Sequence, residues 1–195
     1  MPRTAKIDRK TKETRIQATL NLDGTGVAGI ETGIPFFDHM LEAFTLHAGF
    51  DLTLKADGDL QVDAHHTVED TGIVLGQAAD RALGDRKGIR RYAHFHAPLD
   101  EALARVVVDI SGRPYLHYDS PIRYETRIGD HYQAGLTREF LRAFATHARL
   151  TLHVDLIRAE DPHHGTEAIY KAFARAMKEA VKIDGKQVPS TKGSL

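Results

Sequence analysis

The chain of 195 residues has no cysteine and no tryptophan. Lack of cysteine excludes disulfides, thiolate metal ligands and a cysteine nucleophile. No apolar run reaches the 18 residues of a membrane-spanning helix, so no span is expected. The opening segment MPRTAKIDRKTKETR has no apolar core, which argues against a secretory signal and for a cytoplasmic location. An excess of one charge is missing as well: 26 basic and 27 acidic residues leave a formal net charge of −1. That balance speaks against a nucleic-acid binder, which needs a basic face. Hydrophobic content of 42% and charged content of 27% suit a globular chain long enough to bury a core. Against these absences stand twelve histidines. Any metal here must rest on imidazole and carboxylate.

The histidines are not scattered evenly. Asp63-Ala64-His65-His66-Thr67-Val68-Glu69-Asp70 has a near copy in His163-His164-Gly165-Thr166-Glu167. On a helix, residues three and four apart share a face, so Glu69 can join a metal beside His65 or His66. The two adjacent imidazoles diverge by roughly 100° around the axis and suit two ions better than one. One such unit is common on ordinary surfaces. Two copies in matching surroundings point to paired metal sites, each unit feeding both.

The chain between the copies also repeats. Ile16, Ala18, Leu20 and Leu22 alternate as in a half-buried strand. The turn Asp23-Gly24-Thr25-Gly26 predicts Val27 to Glu31 as its hairpin partner. Helical spacing follows from about Phe36 to His47, ending at Ala48-Gly49, and Phe50, Leu52 and Leu54 alternate again. The first HHxxE opens a helix with Ile73, Val74, Leu75, Ala78, Ala79, Ala82 and Leu83 inward, stopped by Gly84 to Gly88. The second half offers a strand at Arg105 to Ile110, a turn at Gly112-Arg113-Pro114 and a return strand at Tyr115 to Tyr118. A helix from about Leu136 to His147, a strand through Leu150, Leu152, Val154 and Leu156, and the second motif helix complete it. An offset of 100 pairs Leu41 with Leu141, Phe44 with Phe144 and His47 with His147. An offset of 98 pairs His65, His66 and Glu69 with His163, His164 and Glu167. The expected fold is α+β, an internally duplicated two-layer unit whose mixed sheets are each covered by helices on one face. Its repeats span about 8–90 and 91–185, with a tail at 186–195.

Two metal sites need more ligands than the motifs supply. His39 is the leading addition, with Asp38 able to orient its ring, and its counterpart at offset 100 is Glu139. If the two copies cannot meet within one chain, the sites form between subunits and activity requires oligomerisation. Imidazole-rich donors favour zinc or iron, with manganese possible where carboxylates contribute. A second constellation is basic: Arg90, Arg91, Arg113, Lys171 and the tail with Ser190 and Lys192 are candidates to grip a phosphate. The residues alone leave three readings open: a metal-dependent dehydratase, a dinuclear hydrolase of a phosphorylated metabolite, and a non-catalytic metal-storage shell.

One family carries these segments in this order. Pro35-Phe36-Phe37-Asp38-His39-Met40-Leu41, both HHxxE motifs, Pro98-Leu99-Asp100-Glu101, Asp109-Ile110-Ser111-Gly112-Arg113-Pro114, Thr151-Leu152-His153 and Pro189-Ser190-Thr191-Lys192-Gly193 resemble the imidazoleglycerol-phosphate dehydratases of histidine biosynthesis. The resemblance covers essentially the whole chain. It implies loss of water from D-erythro-imidazole glycerol phosphate to give imidazole acetol phosphate, with two manganese ions per site binding the imidazolate. It implies a homo-oligomer of 24 subunits built from trimers, with active sites at subunit interfaces. By the same resemblance the metal ligands fall on His39, His65, His66, Glu69, His163, His164 and Glu167. The remaining ligand position falls on Glu139, where many relatives carry histidine, and His131 and His147 are the alternatives. Phosphate contacts fall on Arg91, Arg113, Lys171, Ser190 and Lys192, and the reacting chain meets Glu13, Glu167 and Asp100. His94 and His96 are left to the surface.

Overall fold

The computed structural model describes residues 3–193 and Leu195. Two four-stranded sheets enclose four helices. The first half contributes β1 (Thr4–Lys10), β2 (Thr14–Asn21), β3 (Ala28–Glu31), α1 (Pro35–Ala48), β4 (Asp51–Gly58) and α2 (His65–Leu83). The second contributes β5 (Tyr92–Leu99), β6 (Ala102–Asp109), β7 (Tyr115–Asp119), a small hairpin of β8 (Arg127–Ile128) and β9 (Tyr132–Gln133), α3 (Leu136–Ala148), β10 (Thr151–Arg158) and α4 (Pro162–Ala180). The sheet orders β1-β2-β4-β3 and β5-β6-β10-β7 are the same path drawn twice. The expected duplicated α+β architecture is present, and both sheets are mixed.

The two return strands pair differently from the expectation. β3 is no hairpin partner of β2; it runs parallel to β4, with Ile30 opposite Leu54. β7 likewise lies parallel to β10, with His117 opposite His153. Both flanks of β2 are already taken by β1 and β4, and both flanks of β6 by β5 and β10. A helix separates β3 from β4 and β7 from β10, and such a crossover brings a strand back parallel. Asp51 locks the first arrangement by accepting the backbone N–H groups of Thr25 and Val27 at 2.8 and 3.1 Å. The edge strands β1 and β5 carry too weak an apolar alternation to be expected from the sequence. Only Ala5 and Ile7 of β1 face inward among charged neighbours, and β5 carries Pro98, which an edge strand tolerates.

Alternation in β2 and β6 sends Ile16, Ala18 and Leu20, and Ala104, Val106 and Val108, onto the helices. Between the helices the aromatic rings interlock. Phe44 lies 5.1 Å from Phe173 and 6.4 Å from Phe144, and Phe140 stacks on Tyr170 at 5.6 Å. Losing one such ring typically costs about 3–5 kcal/mol. The α2–α3 crossing is closer than side chains usually permit: a Cβ on Gly72 would lie 2.6 Å from the Phe140 carbonyl oxygen, and one on Gly76 would lie 2.7 Å from that of Phe144. Phe37 near the start of α1 meets Phe140 near the start of α3 at 5.5 Å. The N-termini of the helices thereby gather at one end of the molecule, and the motif residues gather with them. No helix among the described residues is long and apolar enough to cross a membrane.

Candidate metal centre and substrate site

An aspartate stands two residues before the first histidine of each motif. Asp63 accepts the backbone N–H of His65 at 2.7 Å, and Asp161 accepts those of His163 and His164 at 2.6 and 3.3 Å. An N-terminal carboxylate answers the orphan amides of the first turn and favours the dipole there. It also fixes the backbone that carries the histidines. Asp63 and Asp161 stand 98 residues apart, so this hydrogen bond is duplicated with the motif, although Asp161 is the N-cap of α4 while Ala64 holds that place in α2.

Two groups of ligand atoms result, and each mixes the two halves of the chain. His39 of α1 joins His163 and Glu167 of α4, and His65 and Glu69 of α2 join Glu139 of α3. Within each group the ligand atoms lie within 4.8 Å of one another. Glu167 Oε2 stands 3.5 Å from His39 Nε2 and 3.2 Å from His163 Nε2. In the other group His65 Nε2 stands 3.8 Å from Glu69 Oε2. Burial pushes the Glu167 carboxyl up, but the Lys171 ammonium at 2.7 Å and the nearby imidazoles prevail and keep it below the usual carboxylate value. Imidazole nitrogens and carboxylate oxygens in sets of three fit a divalent transition ion.

His66 and His164 belong to neither group. Their rings stand at 89° and 84° to those of His65 and His163. Asp59 lies 3.0 Å from His66 Nδ1, and Glu101 lies 2.9 Å from His164 Nδ1. These hydrogen bonds raise both imidazole pKa values above the ordinary histidine value. A carboxylate on Nδ1 also leaves Nε2 free to bind a metal. Glu101 accepts the backbone N–H groups of Asp161 and Glu160 in addition, and its pKa falls to about 2. Asp59 and Glu101 were not among the residues expected from the sequence. The cross-strand register reveals one of them: Ile16 faces Ala56 while Ala104 faces Leu156, so Glu13 and Glu101 occupy matching hairpin positions. Glu13 is exposed, with its carboxylate 4.0 Å from His66 Nδ1.

Asp38 does not orient His39. Its Oδ1 accepts the Thr32 backbone N–H at 2.9 Å and the Thr32 hydroxyl at 2.5 Å, bracing the loop before α1. His147 lies near the far end of α3, where burial lowers its pKa, and takes no part in either group. His131 lines a cavity of about 320 Å³ beside His65, together with Tyr124, Arg127 and Asp130. Asp100 is exposed at the β5–β6 turn with φ 47°.

Of the six candidate phosphate residues, Arg91, Arg113, Ser190 and Lys192 draw together, while Arg90 and Lys171 are engaged elsewhere. Arg91 donates from Nε to Asp109 at 2.7 Å and from Nη1 to the Pro189 carbonyl at 2.7 Å, which ties down the tail. Arg113 lies 3.7 Å from Asp109. Ser190 accepts the Lys192 backbone N–H through its hydroxyl at 3.2 Å. A Cβ on Gly112 would lie 2.7 Å from the Leu195 backbone, so the tail returns to the Ser111–Arg113 turn. Arg90 is committed elsewhere, to Glu179 and Asp184. Lys171 is the outlier, paired with Glu167. The Arg91 amide bonds to the Ala180 carbonyl at the end of α4. Glu167 and Ala180 are 13 residues apart on α4, or about 20 Å along the axis. One chain therefore holds its imidazole–carboxylate groups and its basic group at opposite ends of one helix.

Fold and side chains define a class: a duplicated α+β enzyme scaffold whose chemistry rests on imidazole, carboxylate and a separate basic cluster. A family model described as imidazoleglycerol-phosphate dehydratase matches residues 32–177. The chain belongs to the imidazoleglycerol-phosphate dehydratase family, hydro-lyases of histidine biosynthesis. It is 54% identical over 196 residues to the imidazoleglycerol-phosphate dehydratase of Aminomonas aminovorus, covering 99% of this chain and 100% of that one. The Bordetella petrii enzyme is 53% identical with the same coverage. Among solved structures, the Staphylococcus aureus enzyme superposes with a TM-score of 0.83 at 41% identity, covering 92% of this chain and 99% of that one. The Pyrococcus furiosus enzyme gives 0.83 at 34% identity, covering 97% and 100%.

Proposed function

We propose that this dehydratase works with two divalent ions, manganese or another divalent metal, in active sites that close between copies of the chain in the cytoplasm. His39, His163 and Glu167 hold one ion, and His65, Glu69 and Glu139 hold the other. His66 and His164, backed by Asp59 and Glu101, each add an imidazole across the interface. When bound, the ions supply Lewis acidity and a template for the imidazole ring of the substrate. Arg91, Arg113, Ser190 and Lys192 grip the phosphate from one copy, while Lys171 reaches it from another. Asp100 orients the glycerol hydroxyls.

Dehydration breaks a C–O bond at the carbon attached to the ring and a C–H bond at the next carbon. One carboxyl group must take that proton and another must protonate the departing hydroxyl. Glu167 and Glu13 fill these roles. The Lys171 ammonium 2.7 Å from Glu167 favours its charged form. Positioned groups of this kind contribute about 10² to 10⁴ in rate.

The observation that carries the shared site is the separation along α4. Imidazole glycerol phosphate spans about 8 Å from ring to phosphorus by ordinary bond lengths, well short of the distance between the two groups in one chain. Assembly through trimers into 24 subunits supplies the missing neighbours. The test is complementation: co-assembled His65→Ala and Lys192→Ala chains should regain turnover at low substrate that neither has alone. No recovery in verified mixed assemblies would return the site to a single chain. Lys192→Ala by itself should raise KM with metal content unchanged, and the product should retain its phosphate.

A further inference from the structure

The duplication makes the two ligand groups equivalent in position but not in chemistry. At offset 100 His39 answers to Glu139, and at offset 98 His163 and Glu167 answer to His65 and Glu69. The α1/α4 group offers two imidazoles and one carboxylate, while the α2/α3 group offers one imidazole and two carboxylates. Their cations also come from different places. Lys171, on the motif helix itself, serves Glu167. In the other group Arg142, on the facing helix, reaches both Glu69 at 2.9 Å and Glu139 at 2.6 Å. Glu139 is the enclosed partner, with 13% of its side chain exposed, whereas Arg142 has 52% exposed.

Two carboxylates within 4.8 Å of each other repel unless a cation lies between them. A guanidinium with one side in water can leave when a stronger cation arrives. Carboxylate oxygens favour hard ions such as manganese and magnesium, and imidazole nitrogens favour zinc. We infer that the two metal sites of this chain are unequal: the His65/Glu69/Glu139 site selects the harder ion, with Arg142 as the cation that the ion displaces, and the His39/His163/Glu167 site is the more zinc-selective. This rests on the metal reading above and goes beyond it in assigning each site its own preference.

The experiment is zinc titration of the manganese-loaded enzyme, with released Mn2+ counted by electron paramagnetic resonance. Wild type should release manganese in two steps, the second needing at least about tenfold more zinc, the lower end of what even a residue behind a ligand changes. Glu139→His should draw the late step down onto the early one, and His39→Glu should push the early step up to the late one. Arg142→Ala should keep two steps while binding manganese more tightly at the late site. A single step in wild type, or two unmoved steps in both swap variants, overturns the inference and leaves the metal reading standing. Unchanged or weaker manganese affinity in Arg142→Ala removes Arg142 from its part. An enzyme that retains no manganese before zinc is added overturns the metal reading itself.

Discussion

The α1/α4 and α2/α3 ends of the helical layer are counterparts under the duplication, each built from one helix of either repeat, yet they have diverged at different depths. The local hydrogen bonds are kept: an aspartate before each HHxxE accepts the amide of its first histidine, and a carboxylate meets Nδ1 of each second histidine. The donors themselves are not kept, since His39 is matched by Glu139. Nor is the packing: Gly72 and Gly76 let α3 approach α2, while their counterparts at offset 98 are Tyr170 and Ala174. In the metal reading proposed above, the aspartates and second histidines serve the geometry that both sites need, so a change there would harm either site. A single ligand can change while the site still holds a cation.

The comparison breaks most visibly by deleting one donor from each end. His163→Ala and His65→Ala should each lower turnover by at least about 10²-fold, the lower range for a positioned group. Each should retain the ion of the other end, as counted by metal analysis of the purified enzyme. Loss of both ions from either variant would mean that the two ends load as one unit. Equal zinc preference of the two surviving sites would erase the difference between them.

A smaller effect belongs to one of the matching glutamates of the two hairpins. Glu101 has its pKa pulled down from 4.5 to about 2, first by the Asp161 amide and then by His164. A depressed carboxyl stabilises the fold above its unfolded pKa and loses that contribution as pH falls through the folded value. Wild-type stability should therefore decline between pH 4.5 and about 2 partly through this group. Urea unfolding of Glu101→Gln across this window should show a shallower decline than wild type. Parallel curves for wild type and Glu101→Gln would remove Glu101 as the anchor of the α4 start.

Much of this was legible in the residues, for identifiable reasons. Periodicity reported the helices because each buries a long apolar stripe, as Met40, Leu41, Phe44 and Ala48 do on α1. The duplicated motif reported the imidazole–carboxylate pairs because helical spacing joins His65 to Glu69 and His163 to Glu167. The parallel pairing of β3 and β7 was hidden, because a turn such as Asp23-Gly24-Thr25-Gly26 reads as a hairpin whatever the flanks of β2 are doing. Asp59 and Glu101 were hidden too: Asp59 lies between β4 and α2, outside the helix that carries His66, and only strand register brings Glu101 to His164. The split of Lys171 from Arg91 depends on the length of α4, which spacing gave, and on where the tail returns, which it did not.

The smallest expected effect lies at the far ends of α1 and α3. Both helices end on a left-handed residue, Gly49 with φ 70° and Arg149 with φ 55°. The two are 100 residues apart and make the same pair of backbone bonds, to the carbonyls of Thr45 and Leu46 in one case and of Ala145 and Thr146 in the other. Glycine adopts this conformation freely, whereas a residue with a Cβ pays about 1 kcal/mol or more. Arg149→Gly should therefore raise stability by about 1 kcal/mol, less the entropy glycine adds to the unfolded chain. Gly49→Ala should lower stability by a comparable amount, seen as opposite shifts of the urea midpoint at constant slope. If Arg149→Gly destabilises instead, the arginine side chain contributes to packing or assembly at that end, and the two caps are equivalent in backbone only.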